Sequence, residues 1–223
     1  MNNSINRIYS LLLVLLLLPA ALVAGGDNGN AVALLDKAVE ALRADAGVTM
    51  EFSYTAYDGN GDVLFTDKGT FCLDRRDAAH AVERYTLLMQ QLRVWNNGKC
   101  QWNYMAQTNE IYITSADSEE AQNLSPLYLM QLYKSGQYKC SIEAGSQGSV
   151  VVLSSINDAS EFSEIKVFLS AKTMRLVKLQ MLSSDGNSAV IVVDDYKHGC
   201  TFNDAIFECP LNEYPDAEVV DML

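Results

Sequence analysis

The sequence contains few of the residues on which catalysis and metal binding depend. Only two of its 223 residues are histidine, His80 within a predicted strand and His198 near a turn. A Ser-His-Asp triad needs a nucleophile and an acid around one of them, and the chain has no G-x-S-x-G elbow. No two cysteines have C-x-x-C spacing, and no histidine stands at a zinc-ligand spacing. We therefore expect neither an enzyme nor a metal or cofactor site.

Two further chemical signatures are incomplete or missing. The acidic turn 58–62 resembles the start of a calcium loop, but Gly69 occupies the twelfth position, where that loop needs a glutamate. No glycine-rich phosphate loop joins a strand to a helix. The turn 58–62 is therefore interpreted as a plain hairpin turn.

Basic residues are also scarce. The chain has 16 Lys+Arg against 28 Asp+Glu, a formal net charge of −12. A balance this acidic argues against binding nucleic acid or anionic membrane surfaces. It keeps in solution a protein that exposes some apolar surface.

The cysteines are few and odd in number, so at least one is unpaired or pairs outside the chain. An oxidising compartment permits a disulfide between Cys200 and Cys209, while buried free thiols that pack as small apolar groups are at least as favoured. The five positions are Cys72, Cys100, Cys140, Cys200 and Cys209.

A long apolar run occurs only at the N-terminus. Arg7 precedes Leu11–Leu18, Pro19 follows, and small residues end at Ala24. This layout is typical of a secretory signal peptide at residues 1–24. Because Gly25 rather than a cysteine follows, we expect residues 25–223 to be exported to the periplasm as one domain without a lipid anchor.

The remaining pattern is mostly that of strands. Val32, Leu35, Val39 and Leu42 form one apolar helical stripe, with Asn30 as N-cap and Gly47 as the stop. Alternating residues and turn signals then predict an antiparallel α+β domain of about ten to eleven strands. The predicted strands are 48–56, 63–73, 80–86, 87–95, 100–105, 111–114, 138–143, 150–154, 162–170, 175–182 and 188–194, with a short last element through Ile206 and Phe207.

A second helix is predicted over 127–134, after the N-cap Ser125 and Pro126. It is apolar nearly all round, so it must be buried. Many strands and only two helices leave either a packed core or a cavity. From the pattern alone these two outcomes are equally favoured. Aromatic and flexible side chains dominate the candidate inner positions, including Met50, Phe52, Tyr54, Trp102 and Tyr104.

The motifs, taken in order, resemble the LolA family of periplasmic carriers of outer-membrane lipoproteins. The resemblance covers most of the chain after residue 25. It lies in an amphipathic helix before the strand 48–56 and in four short motifs. These are 69–75 (GTFCLDR), 97–104 (NGKCQWNY, similar to "DGK-x-x-W-x-Y"), 125–127 (SPL) and 207–210 (FECP, similar to "F-x-x-P").

The resemblance implies a fold and a function. The fold is a curved antiparallel sheet forming a half-open barrel, lidded by a few short helices. Its interior takes the acyl chains of lipoproteins. An inner-membrane Lol-type ABC transporter loads the carrier, which is expected to be a monomer, and an outer-membrane acceptor unloads it. The candidate ligand-binding residues are Met50, Phe52, Tyr54, Leu73, Leu92, Trp102, Tyr104, Leu129 and Leu132.

The family also uses an arginine that hydrogen-bonds to the lid and keeps the empty cavity closed. Arg75 falls at that position, and Arg76 replaces the proline that usually follows, so either arginine is a candidate. Two alternatives stay open at this stage. One is a carrier of another lipid or hydrophobic ligand on the same fold, and the other is a non-catalytic structural or interaction module of the envelope.

Overall fold

A computed structural model describes residues 29–75, 83–118, 121, 132–144, 148–157 and 160–223. The predicted signal peptide, His80, Arg76 and Leu129 lie outside this range. The described elements are helix α1 (Gly29–Ala44), three 3-10 helices (Leu132–Lys134, Asp204–Phe207 and Leu211–Glu213) and strands β1 (Gly47–Tyr57), β2 (Val63–Asp74), β3 (Arg84–Leu88), β4 (Leu92–Asn96), β5 (Cys100–Met105), β6 (Glu110–Ser115), β7 (Tyr138–Ala144), β8 (Gly148–Ser155), β9 (Phe162–Ser170), β10 (Leu176–Ser183), β11 (Ser188–His198) and β12 (Glu218–Asp221).

The strands form one twelve-stranded sheet in the order β12-β6-β5-β4-β3-β2-β1-β11-β10-β9-β8-β7. The pairs from β2 to β6 and from β7 to β11 are antiparallel. Strand β12 pairs parallel with β6. In this order β12 and β7 are the two edge strands, and the sheet is open. The predicted α+β class is confirmed.

Two sequence predictions about these elements are wrong in detail. Helix α1 begins at Gly29, so Asn30 lies in its first turn and is not the N-cap. Leu87 lies inside β3 and does not start the next strand, because the reversal falls at 89–91, where the Met89 N–H donates to the Leu92 carbonyl at 2.9 Å. Those positions carry Met and Gln instead of Gly, Pro or Asn, so no usual turn signal marks them.

Strand β12 was not predicted. It has four residues, and its parallel pairing with β6 places Val219 opposite Ile111. A strand this short has too few alternating positions to be recognised by periodicity. The last element predicted near Phe207 is a 3-10 helix.

The chain forms two compact units. Among the described residues, the first unit lies within 1–44, 53–66 and 125–193, and the second lies within 45–52, 67–124 and 194–223. In the first, α1 packs against β7 and β8. Its buried stripe is Ala31, Leu35, Ala38, Val39 and Leu42, whereas the predicted Val32 is only partly buried.

In the first unit, polar contacts fasten α1 to the 3-10 helix Leu132–Lys134. The Tyr133 hydroxyl donates a hydrogen bond to the Asp36 carboxylate, and Lys134 Nζ lies 2.9 Å from the same oxygen. These partners hold the pKa of Asp36 below its usual value. In the part of the chain that the structure describes, no helix combines the length and the apolar character needed to cross a membrane.

Candidate functional site

The second unit carries a continuous apolar surface on one side of its strands. Alternation along each strand and the registers between β2, β3 and β4 place the side chains of these strands on the same side of the sheet. The Phe52 ring, which lies over Gly69 of β2, places Phe52 and Met50 of β1 on that side as well. All are at most 7% exposed. This surface, called the apolar face below, consists of Met50, Phe52, Phe71, Leu73, Leu87, Leu92 and Val94.

Close packing holds the aromatic rings of the apolar face. A Cβ atom on Gly69 would lie 2.2 Å from Cζ of Phe52, so the Phe52 ring lies directly over the backbone of β2. Phe71 and Tyr85, on neighbouring strands, have ring centroids 6.0 Å apart. The glycine is therefore part of the site, because any side chain there would displace the phenylalanine.

Four of the predicted ligand-binding residues come together on the apolar face. These are Met50, Phe52, Leu73 and Leu92. Two others, Tyr54 and Leu132, belong to the first unit, where both are buried. The Tyr54 ring packs 6.1 Å from that of Phe65, and burial raises the Tyr54 pKa to about 12.

Trp102 and Tyr104 do not join the apolar face. On β5 it is Gln101 and Asn103 that point to that side, because Asn103 is opposite Val94 in the register. Trp102 and Tyr104 lie on the reverse face, which a C-terminal segment covers: the Tyr214 ring is 4.4 Å from the Tyr104 ring. Alternation separates the two sets of residues but does not tell which set faces inward.

The reverse face is held to the C-terminal segment by two arginines. Arg93 Nη1 donates to the Tyr214 hydroxyl at 2.6 Å. Arg84 lies 2.5 Å from the fully buried Asp74 carboxylate and 2.8 Å from Asp204, and its guanidinium stacks 4.9 Å above the Phe207 ring. Both faces of this part of the sheet are therefore covered.

Arg75, the candidate lid residue, directly follows β2. Its backbone N–H donates to the Ala46 carbonyl at 2.8 Å, and its Nε forms an ion pair with Glu83 at 2.9 Å. A lid role for Arg75 or Arg76 stays a prediction, because Arg76 and residues 127–131 of the predicted lid helix lie outside the described residues.

Sequence reasoning missed a group of buried polar side chains beside the apolar face. Asn96, Gln101, Asn103 and Thr114 are each at most 5% exposed and lie on the same side of β4, β5 and β6. With the Tyr85 hydroxyl, they are called the amide cluster below. The sequence does place two polar residues, Gln101 and Asn103, on one side of β5. The aromatic residues Trp102 and Tyr104 on the other side made that second side the more apolar one, so the amides were not assigned to the interior.

The described part of the chain shows neither a disulfide nor a cluster of metal-binding side chains. All five cysteines are free, so the Cys200–Cys209 pairing does not form in this structure. Among the described residues, no group of three or more His, Cys, Asp or Glu side chains is arranged to hold a metal ion.

The strand order, the open sheet and the helix α1 define an α+β protein with a mostly antiparallel sheet and an apolar face. Residues 78–183 match the family described as "Outer membrane lipoprotein carrier protein LolA". An uncharacterised conserved protein from Thermus thermophilus has a similar solved structure, with a TM-score of 0.50 and 14% identity over 86% of this chain and 99% of that chain. The protein therefore has a LolA-like fold.

Two further solved structures are similar at lower TM-scores. A "putative outer membrane lipoprotein-sorting protein domain" from Vibrio parahaemolyticus has a TM-score of 0.44 and 11% identity over 83% of this chain and 99% of that chain. A LolA superfamily protein from Nitrosomonas europaea has a TM-score of 0.43 and 11% identity over 81% of this chain and 98% of that chain. No curated protein matches the sequence.

Proposed function

We propose that this protein is a periplasmic carrier that binds the acyl chains of lipoproteins on the apolar face and transfers them from the inner to the outer membrane. The observation that carries the proposal is the apolar face, on which large side chains from β1 to β4 adjoin without a charged residue among them. The LolA-like fold and the signal peptide predicted at 1–24 support the same function.

The energetics of such binding are favourable. Burying one methylene contributes about 0.8 kcal/mol, so a sixteen-carbon chain contributes about 12 kcal/mol in total. Association costs at least about 4 kcal/mol, which leaves about 8 kcal/mol, or micromolar affinity for one chain. The apolar face is covered in this structure, so cargo has to uncover it, and that cost lowers the affinity of the empty carrier.

The proposed transfer needs no catalytic residue in this chain. A Lol-type ABC transporter of the inner membrane supplies the work of loading, and an acceptor in the outer membrane binds the cargo more tightly than the carrier does. If Arg75 keeps the empty carrier closed, Arg75→Leu changes the rate of loading or release. Unchanged transfer between membranes in vitro would count against that role.

Direct binding tests the proposal. The probe is a synthetic triacylated lipopeptide, with its unacylated form as the control ligand, titrated into the protein by calorimetry. We expect the acylated peptide to bind and the unacylated control peptide not to bind. Phe52→Leu, which removes a ring from the apolar face, should weaken binding about fivefold or more, by loss of about 1 kcal/mol of contact.

A matched control is Phe168→Leu on β9, where the ring lies under Lys178 Nζ at 4.7 Å in the first unit. It removes the same ring away from the apolar face and should leave binding unchanged. Thermal melts establish that both variants fold. Equal weakening by the two variants, or no binding of the acylated peptide, would contradict the proposal.

A further inference from the structure

The apolar face ends in uncharged polar side chains. Asn96 lies opposite Gln101, and Gln101 lies opposite Thr114 on the next strand, so these three form one row across β4, β5 and β6. Asn103 is opposite the apolar Val94. Cross-strand neighbours of this kind have Cβ atoms about 5 Å apart. The amide cluster and the apolar face therefore form one surface with a polar end.

Hydrogen bonds join most of the cluster. Gln101 Oε1 accepts from the Tyr85 hydroxyl at 2.5 Å and from Asn96 Nδ2 at 3.1 Å, and Gln101 Nε2 donates to Asn103 Oδ1 at 3.0 Å. The Tyr85 hydroxyl also lies 2.9 Å from the carbonyl oxygen of Ala121. Such a network is rigid, because each amide orients the next.

One polar group of the cluster, the Thr114 hydroxyl, makes no hydrogen bond to a described residue. The Thr114 hydroxyl oxygen is buried and has no hydrogen-bond partner among the described residues, although Thr114 is only 5% exposed. A buried hydroxyl left in this state costs free energy, whereas valine has the same shape and no such cost. The hydroxyl therefore offers a donor, at the polar end of an apolar surface, that nothing in the described structure uses.

The chemistry of the cluster selects the kind of ligand. Hydroxyl and amide groups donate to neutral carbonyl oxygens, while phosphate and free carboxylate groups are usually bound by Arg or Lys, and the cluster contains neither. Glu110, an acid on the same side of β6, is half-buried and already accepts a hydrogen bond from the Tyr112 hydroxyl at 2.7 Å.

We infer that the amide cluster binds the uncharged carbonyl group of an acylated ligand, with the Thr114 hydroxyl as donor, while the acyl chain lies along the apolar face. This inference rests on the proposed function, since it requires acyl chains to bind there. It adds direction and selectivity: the carbonyl end of the ligand lies at β5 and β6, and the end of the chain points towards β1. Ester and amide carbonyls share the relevant chemistry.

The test uses the full-length protein and three probes with the same chain length. They are 1-palmitoylglycerol (an ester), N-palmitoylethanolamine (an amide) and 1-O-hexadecylglycerol, an ether without a carbonyl. We expect one or both carbonyl ligands to bind about five- to tenfold more tightly than the ether. Preference for the ester identifies a glyceride as the source of the carbonyl, and preference for the amide identifies an N-acyl group.

The decisive variant is Thr114→Val. It should abolish the preference for carbonyl ligands, leave the affinity for the ether unchanged and melt no lower than the unmodified protein. The matched control, Thr86→Val, changes an equally buried threonine on the reverse face and should keep the preference.

The outcomes separate the two proposals. Equal binding of all three probes by the unmodified protein, equal weakening of all three by Thr114→Val, or a preference that survives the substitution each overturns the inference and leaves the proposed function standing. No binding of any probe overturns both.

Discussion

Gly69→Ala is expected to destabilise the protein, although the backbone at this position permits alanine. Gly69 has no positive φ angle, and at such a position Gly→Ala ordinarily stabilises by about 0.4–1 kcal/mol through the unfolded state. Here the new Cβ would lie 2.2 Å from Cζ of Phe52 and 2.8 Å from both Cε atoms, where ordinary contacts begin at 3.4 Å. The ring must move by more than 1 Å within a packed surface.

Forcing a core group to move costs about 1–3 kcal/mol. After the entropic gain, Gly69→Ala should lower the free energy of unfolding by about 1.3 kcal/mol, within a range of about 0–2.6 kcal/mol. The sign reverses once the ring is gone, because leucine has no Cε or Cζ atoms. In the Phe52→Leu background, the same Gly69→Ala change should be neutral or stabilising.

A double-mutant cycle by urea denaturation measures this coupling. Gly59→Ala is the control, since a Cβ there meets only the Gly186 backbone, at 3.7 Å. If Gly69→Ala has the same effect with and without the Phe52 ring, the ring does not lie over β2 and the described packing of the apolar face is wrong.

Two further predictions concern charged groups. Arg84→Met should lower the free energy of unfolding by about 2–4 kcal/mol, because the Asp74 side chain beside it is fully buried. Asp204→Asn neutralises the other partner of Arg84, whose side chain is 81% exposed, and should lower the free energy of unfolding by less than about 1 kcal/mol. Equal losses of stability for the two variants in urea denaturation would refute this ranking. Burial raises the pKa of Glu161 to about 8, so the folded protein loses stability as pH rises from about 4.5 to 8. Glu161→Gln should then raise the free energy of unfolding by about 1–2 kcal/mol at pH 8, a figure reduced to allow for the partial exposure of the side chain, and should not change it at about pH 4. A difference in stability between variant and unmodified protein that does not depend on pH would contradict this prediction.

Local periodicity was sufficient to predict most of the sheet. Strand β5 was predicted at Cys100–Met105 and β9 at Phe162–Ser170, with the bounds found in the structure. These strands alternate apolar and polar residues, and β5 is in addition bounded by turns that contain Asn97, Gly98 and Asn109. The β3–β4 turn lacks such residues, and β12 depends on a parallel partner distant in sequence, so neither was accessible to local reasoning.

The candidate site was only partly predictable, for a different physical reason. Alternation placed Met50, Phe52 and Leu73 on the buried side, but on β5 both sides are covered. The reverse face, which carries Trp102 and Tyr104, is covered by the C-terminal segment through the Tyr214 ring, 4.4 Å from the Tyr104 ring. A binding role for these two residues stays a prediction. Hydrophobicity alone therefore predicts that the aromatic side chains of β5 belong to the apolar face, and it does not predict that the amides Gln101 and Asn103 are buried there.

The central claim is that the apolar face carries acyl chains, and native mass spectrometry of the protein gently purified from the envelope tests it most directly. We predict a species heavier than the polypeptide by the mass of an acylated molecule. That molecule should be released on denaturation and reduced in amount in Phe52→Leu but not in Phe168→Leu. A protein with the bare polypeptide mass that also fails to take up the triacylated lipopeptide would contradict the claim.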